Sequence, residues 1–114
     1  MSLLTADAAT VLRAPYVTDK YGNTTTQRDW ANAVRSPLSG VSFQPDASSE
    51  ATGDRGSVVT GYRLITRRGV DADILPTDRI EVYGMTLEVD GEIGRYRTGG
   101  RVHHVEVRLK KVSG

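Results

Sequence analysis

Cysteine is absent from this 114-residue chain, which excludes disulfides and thiolate metal sites. Aromatics are few: five Tyr, one Trp and one Phe. No apolar run approaches the roughly 20 residues that a membrane-spanning helix needs. Residues 1–11 have neither a basic start nor a continuous apolar stretch, so no signal peptide is expected and the protein is expected to be made and used in a cytoplasm-like compartment. No single sign of charge dominates. The chain carries 15 Lys and Arg against 14 Asp and Glu. The basic excess of residues 57–114 is two, too small to read as a nucleic-acid patch from charge alone. The length fits one domain with a modest core.

What is present is mostly strand pattern. Residues 1–14 alternate weakly and predict a strand around residues 11–13, ended by Pro15. Tyr21-Gly22-Asn23 reads as a turn before the polar run Thr24-Thr25-Thr26. Residues 28–35 suit one helical face through Trp30 and Val34. A strand is favoured there because the run is short and Ser36-Pro37 follows. Val41 and Phe43 stand two apart, as on a strand. Residues 45–56 hold no apolar residue larger than Ala and read as a long mobile loop. Residues 57–66 form the longest β-branched and aromatic run. Residues 69–77 read as a connector.

Ile80 and Val82, then Leu87 and Val89, flank Gly84 as a hairpin would. Val105, Val107 and Leu109 alternate with Glu106, Arg108 and Lys110, the signature of a strand with one buried face. The sum is an all-β fold, a small antiparallel barrel or sandwich of about six or seven strands with a long mobile loop. Residues 1–27 are expected as an extended N-terminal segment.

Signals for chemistry are weak. His103-His104 invites a metal reading, but neighbours on a strand point to opposite faces and no third His or Cys exists. Asp71 and Asp73 open like a calcium loop, yet the glycine at position six and the closing glutamate are missing. Both read as solvated charges, and Asp78 as a turn residue. The glycines at 91, 94, 99 and 100 lack the Lys-Ser/Thr of a phosphate loop. Trp30 reads as a core anchor, with an interface anchor as the alternative. No nucleophile stands beside a base and its orienting partner, so no catalytic, cofactor or metal site is expected and a hydrolase is a distant alternative. Arg95, Tyr96, Arg97 and Arg101 could stack on and pair with a nucleic acid. They could equally meet an acidic protein partner. The protein partner is favoured, because no matching basic excess lies elsewhere.

The stretch "ILPTDRIEVYGMTLEVDGEIGRYRTGGRVHHVEVRLKKVSG" resembles the head–tail connector proteins of long-tailed bacteriophages, and among them the head-closure, or stopper, proteins. The matching features are the Asp78-Arg79-Ile80 strand start, Gly84 at the hairpin, Leu87–Val89 before a glycine, and a last strand ending in basic residues and glycine. With "GVSFQPDASSE" upstream, the likeness covers residues 41–114. Leu87 stands where such proteins often have an aromatic residue.

The resemblance implies a virion protein without enzymatic activity or cofactor. Its copies form a ring at the head–tail interface, beneath the portal or adaptor and above the tail terminator or tail tube protein. The ring retains packaged DNA, which passes without specific binding, and offers the tail its platform. Adaptor and tail-terminator positions remain alternatives, as does a small nucleic-acid-binding barrel. In the stopper reading residues 45–56 form a channel gate carrying Asp46, Ser48, Ser49, Glu50, Thr52, Asp54 and Arg55. Arg95, Tyr96, Arg97 and Arg101 form a protein interface.

Overall fold

The structure, a computed structural model, describes residues 7–49 and 57–112. Nine strands and one 3-10 turn follow in order: β1 Asp7–Arg13, β2 Tyr16–Thr18, β3 Thr24–Arg28, the turn Trp30–Asn32, β4 Val34–Ser49, β5 Ser57–Thr66, β6 Arg79–Val82, β7 Met85–Val89, β8 Gly94–Thr98 and β9 Arg101–Lys111. The main sheet runs β5-β4-β1-β6-β7-β9, and β9 pairs back onto β5. A closed six-strand antiparallel barrel results, with β8 added beside β9. Closure leaves the barrel wall itself without an edge strand.

Period-two alternation fills the interior. Val105, Val107 and Leu109 of β9 are buried, as are Ile80 and Val82 of β6 and Leu87 and Val89 of β7. They meet Val11, Val41 and Leu64 in one core. Each such aliphatic side chain contributes about 1.5–3 kcal/mol relative to exposure. The hairpin between β6 and β7 is a two-residue turn. Gly84 takes the positive φ (+75°) foreseen for it, and Tyr83 shares it at +50°. At Gly61 a close approach dictates the residue, since a Cβ there would lie 2.7 Å from the Leu109 carbonyl oxygen across the β5–β9 seam.

Several expectations are corrected. The strand expected around residues 11–13 is present and longer: β1 is a central wall strand, paired with β4 on one side and β6 on the other, and β2–β3 make a separate two-stranded ribbon. Residues 28–35 are not one strand. They hold the end of β3, the 3-10 turn and the start of β4, because Asp29 and Asn32 bond to each other across the turn. Trp30 is not a core anchor. It sits half-buried on that turn, with the Arg79 guanidinium 4.1 Å from its ring centre. The loop expected over 45–56 is shorter at its start. Residues 45–49 continue β4, with Ser49 paired to Ser57. They lack large apolar side chains because this part of β4 has left the barrel and needs no core. Glu50, Thr52, Asp54 and Arg55 lie outside the described residues.

The register fixes where the excursions go. β4 beyond Val41 pairs only with β5, and β5 before Tyr62 pairs only with β4. They form a ribbon leaving one end of the barrel, here called the upper end. β9 runs antiparallel to β5, so its first residues, paired with β8, leave at the opposite, lower end. The β2–β3 ribbon also lies at the lower end, beyond Arg13 and Val34. The radius of gyration is 16.4 Å, against about 13 Å for a compact domain of this length. The difference reflects these projections.

Candidate functional site

The lower end is plugged by residues 67–78. Expected to be a plain connector, this segment sends Ala72 and Ile74 into the core. Two arginines hold it. Arg95, on β8, pairs with Asp71 at 3.0 Å and donates to the carbonyls of Ala72 and Ile74 at 2.9 and 3.1 Å. Arg13, at the end of β1, donates to both carboxylate oxygens of Asp78 at 3.0 and 2.8 Å and reaches Asp73 at 3.3 Å. The two carboxylates raise the Arg13 pKa, Asp78 most strongly.

Asp78 is no surface turn residue: it is 2% exposed, and its side chain also accepts from the Leu75 amide. Asp71 and Asp73 are exposed as expected, but both are ion-paired. Arg95 therefore leaves the expected interface set. Its guanidinium is spent on carbonyls of the plug segment, which has no sheet partner; the Ala72 carbonyl also accepts from the Ile74 amide.

Beyond Arg95 the β8–β9 hairpin extends past the barrel wall, tied to the plug segment by the Gly69 amide, which donates to the His103 carbonyl at 2.7 Å. Its turn, Gly99-Gly100, has φ of +61° and +81°, the backbone a tight two-residue hairpin requires. Arg97, Arg101 and Tyr96 are exposed. Tyr96 stacks on His104, ring centres 4.8 Å apart and 10° from coplanar. The two histidines do not face apart. The register slips between Tyr96 and Arg97, so that Tyr96 opposes His104 while Arg97 opposes Val102. This bulge breaks the alternation, and His103 Nδ1 lies 2.9 Å from His104 Nδ1. His104 Nε2 in turn bonds Glu106 at 2.9 Å. Among the described residues no group of three or more His, Asp or Glu is placed to hold a metal ion.

The upper end carries aromatics instead. Phe43 stacks on Tyr62 at 5.2 Å and tilts against Tyr83 at 5.9 Å. The Tyr83 hydroxyl donates to Asp7, whose other oxygen accepts from the Phe43 amide at 3.0 Å. These two bonds, Tyr83 first, hold the Asp7 carboxyl below its ordinary range, and the same contact raises the Tyr83 phenol. Of the expected gate residues, Asp46 lies on β4, 3.7 Å from Arg63, and Ser48 and Ser49 lie in the ribbon. The sequence reading missed this aromatic trio, although Phe43 and Tyr62 each sat at a recognised strand position. It also missed Arg13 and Arg68.

No family model matches the chain, and a search of curated proteins finds no match. Among solved structures it is similar to the solution structure of protein SF1141 from Shigella flexneri 2a, a structural genomics target. The likeness has 20% identity and a TM-score of 0.65, and it covers 97% of this chain and 96% of that one. At that identity the likeness establishes the fold, a small β-barrel with the same end-to-end course.

Proposed function

We propose that the chain is a non-enzymatic structural subunit of a phage head–tail connector, of the head-closure type, whose copies form a ring at the neck of the particle. The observation that carries the reading is a closed barrel with hairpin arms leaving opposite ends. A ring subunit needs a wall that does not deform and extensions that reach its neighbours above and below. The sequence resemblance over residues 41–114 supplies the specific assignment. In this reading the β4–β5 arm faces the channel, and Tyr96, Arg97 and Arg101 on the β8–β9 hairpin meet an adjacent protein. Among the described residues the exposed large apolar side chains are Tyr16, Tyr21, Val34, Leu75, Tyr83 and Tyr96, few for a strong obligate interface, so free subunits are expected to be mainly monomeric at micromolar concentration and to associate firmly only on a particle.

The test uses DNA-filled capsids that carry portal and adaptor but no tail. The purified chain should add a ring of density at the neck in electron micrographs and should reduce DNA leakage. Reversing the charge of Arg97 and Arg101 together should weaken that addition. Failure to bind such capsids, with salt-sensitive binding to duplex DNA in its place, would select the nucleic-acid-binding barrel.

A further inference from the structure

Beside the turn end of the β8–β9 hairpin a cleft of about 270 Å³ opens between the plug segment and β9, lined by Arg68, Gly69, Thr98, Arg101, Val102 and His103. Its charge is one-sided. Arg68 and Arg101 have neither an ion pair nor a hydrogen bond among the described residues, and no carboxylate lines the cleft. A neighbouring cleft of about 210 Å³ makes the contrast. There Arg63 and Arg108 stand with Glu92 and Glu106, so its charges compensate internally. Two arginines lining one cleft without a counter-charge make its potential positive, which favours an anion there.

The walls are held in place before any ligand arrives. The Gly69 amide donates to the His103 carbonyl at 2.7 Å. Buried Thr66 accepts from the Val105 amide at 2.9 Å and donates to the Val70 carbonyl at 3.1 Å. These bonds pin the turn that carries Arg68 against the strand that carries Arg101 and His103. Within the hairpin His103 Nδ1 is engaged by His104, while its Nε2 has no partner among the described residues. With His104 Nε2 donating to Glu106, His103 Nδ1 donates to His104 Nδ1 and a neutral His103 keeps an accepting Nε2, so the donors that line the cleft belong to two forked guanidiniums and the Thr98 hydroxyl. Such a donor set matches a tetrahedral oxyanion with several acceptor oxygens better than a single carboxylate. The volume is large enough to admit one such anion.

We infer that this cleft is a phosphate-binding site, formed by Arg68 and Arg101 with Thr98, His103 standing in its wall. The phosphate could be free or part of a nucleic-acid backbone, and the site stands whether or not the chain is a connector subunit. The experiment is a 15N-edited NMR titration of the full chain with inorganic phosphate, against sodium chloride at equal ionic strength. Saturable shifts are expected at the amides of Gly69, Thr98, Val102 and His103. Arg68→Gln and Arg101→Gln should each weaken binding about tenfold or more, the loss of a charge-assisted contact, with the rest of the spectrum unchanged. Arg97→Gln, on the same hairpin but outside the cleft, should leave it unaltered.

A short DNA duplex distinguishes the sources. Shifts of the same amides, abolished by Arg101→Gln, assign the site to a backbone phosphate. Binding of inorganic phosphate alone assigns it to the free ion. Shifts that chloride reproduces, equal weakening by Arg97→Gln, or saturation by a glutamate-rich peptide where phosphate has no effect would each overturn the inference.

Discussion

The two ends of the barrel are finished by different chemistry. The lower end is closed by a segment without sheet partners, which arginines from β1 and β8 hold by its carbonyls and carboxylates. The upper end has no plug among the described residues. It carries a ribbon, three aromatic rings and one carboxylate–phenol bond. A guanidinium bonding a buried carboxylate must stay whole, because removing either partner strands a charge or an amide away from water. Stacked rings at a half-open rim lose area and little else. The lower end is therefore expected to respond to mutation as part of the folding unit, and the upper end as a surface.

The largest break in that comparison should come from Asp78→Ala. It removes the partner of Arg13 and the acceptor of the Leu75 amide at a site 2% exposed. A loss of about 3 kcal/mol is expected in urea unfolding; a loss below about 1 kcal/mol would show that the latch does not hold the fold. Gly61→Val tests the seam beneath the upper arm. Its new Cβ would start 2.7 Å from a backbone oxygen of β9, where neither strand can yield without parting. About 2 kcal/mol is expected, with faster amide exchange along β5 and β9. Unchanged exchange there would mean that the seam is not tight.

Arg95→Ala should cost about 1.5 kcal/mol and speed exchange of the Ile74 amide, which bonds the Ala72 carbonyl at 3.1 Å. If exchange of Ile74 stays at the wild-type rate, the plug is held by its apolar side chains alone. The smallest effect belongs to Asp7. Its folded pKa lies below the ordinary carboxyl value of 3.8, so its contribution is present above that value and is lost as pH falls through the folded pKa. Tyr83 has a raised pKa, so its contribution is present below about 10 and is lost as pH rises through the folded value. Melting temperatures of wild type and Asp7→Asn should accordingly converge on acidification below about pH 4. A gap that keeps its full size down to the lowest pH at which both proteins still fold would assign the effect of Asp7 to something other than its charge.

Legibility differed between these regions for a physical reason. The walls were readable because burial on one face of a strand imposes a period of two, visible at Ile80/Val82, Leu87/Val89 and Val105/Val107/Leu109. The β6–β7 hairpin was readable because positive φ selects glycine. Phe43 and Tyr62 could be placed on strands but not against each other, since stacking depends on the β4–β5 register. His103 and His104 were misread because a bulge, absent from any residue pattern, cancels the alternation on which the argument rested. Arg95 was misassigned because an arginine bonding carbonyls and an arginine awaiting a partner are the same letter.

From sequence alone came the all-β class, the one-faced strands and the absence of disulfides. These depend on local spacing and composition, which strand geometry and side-chain chemistry translate directly. Tertiary structure alone decided that the sheet closes through β5 and β9, that the arms leave opposite ends, and that Arg13 meets an aspartate 65 residues away. It also set Arg68 and Arg101 across a cleft without a counter-charge. Pairings at such separations follow from register and closure of the whole sheet. No window along the chain carries that information, because the energy selecting them is shared among all the strands at once.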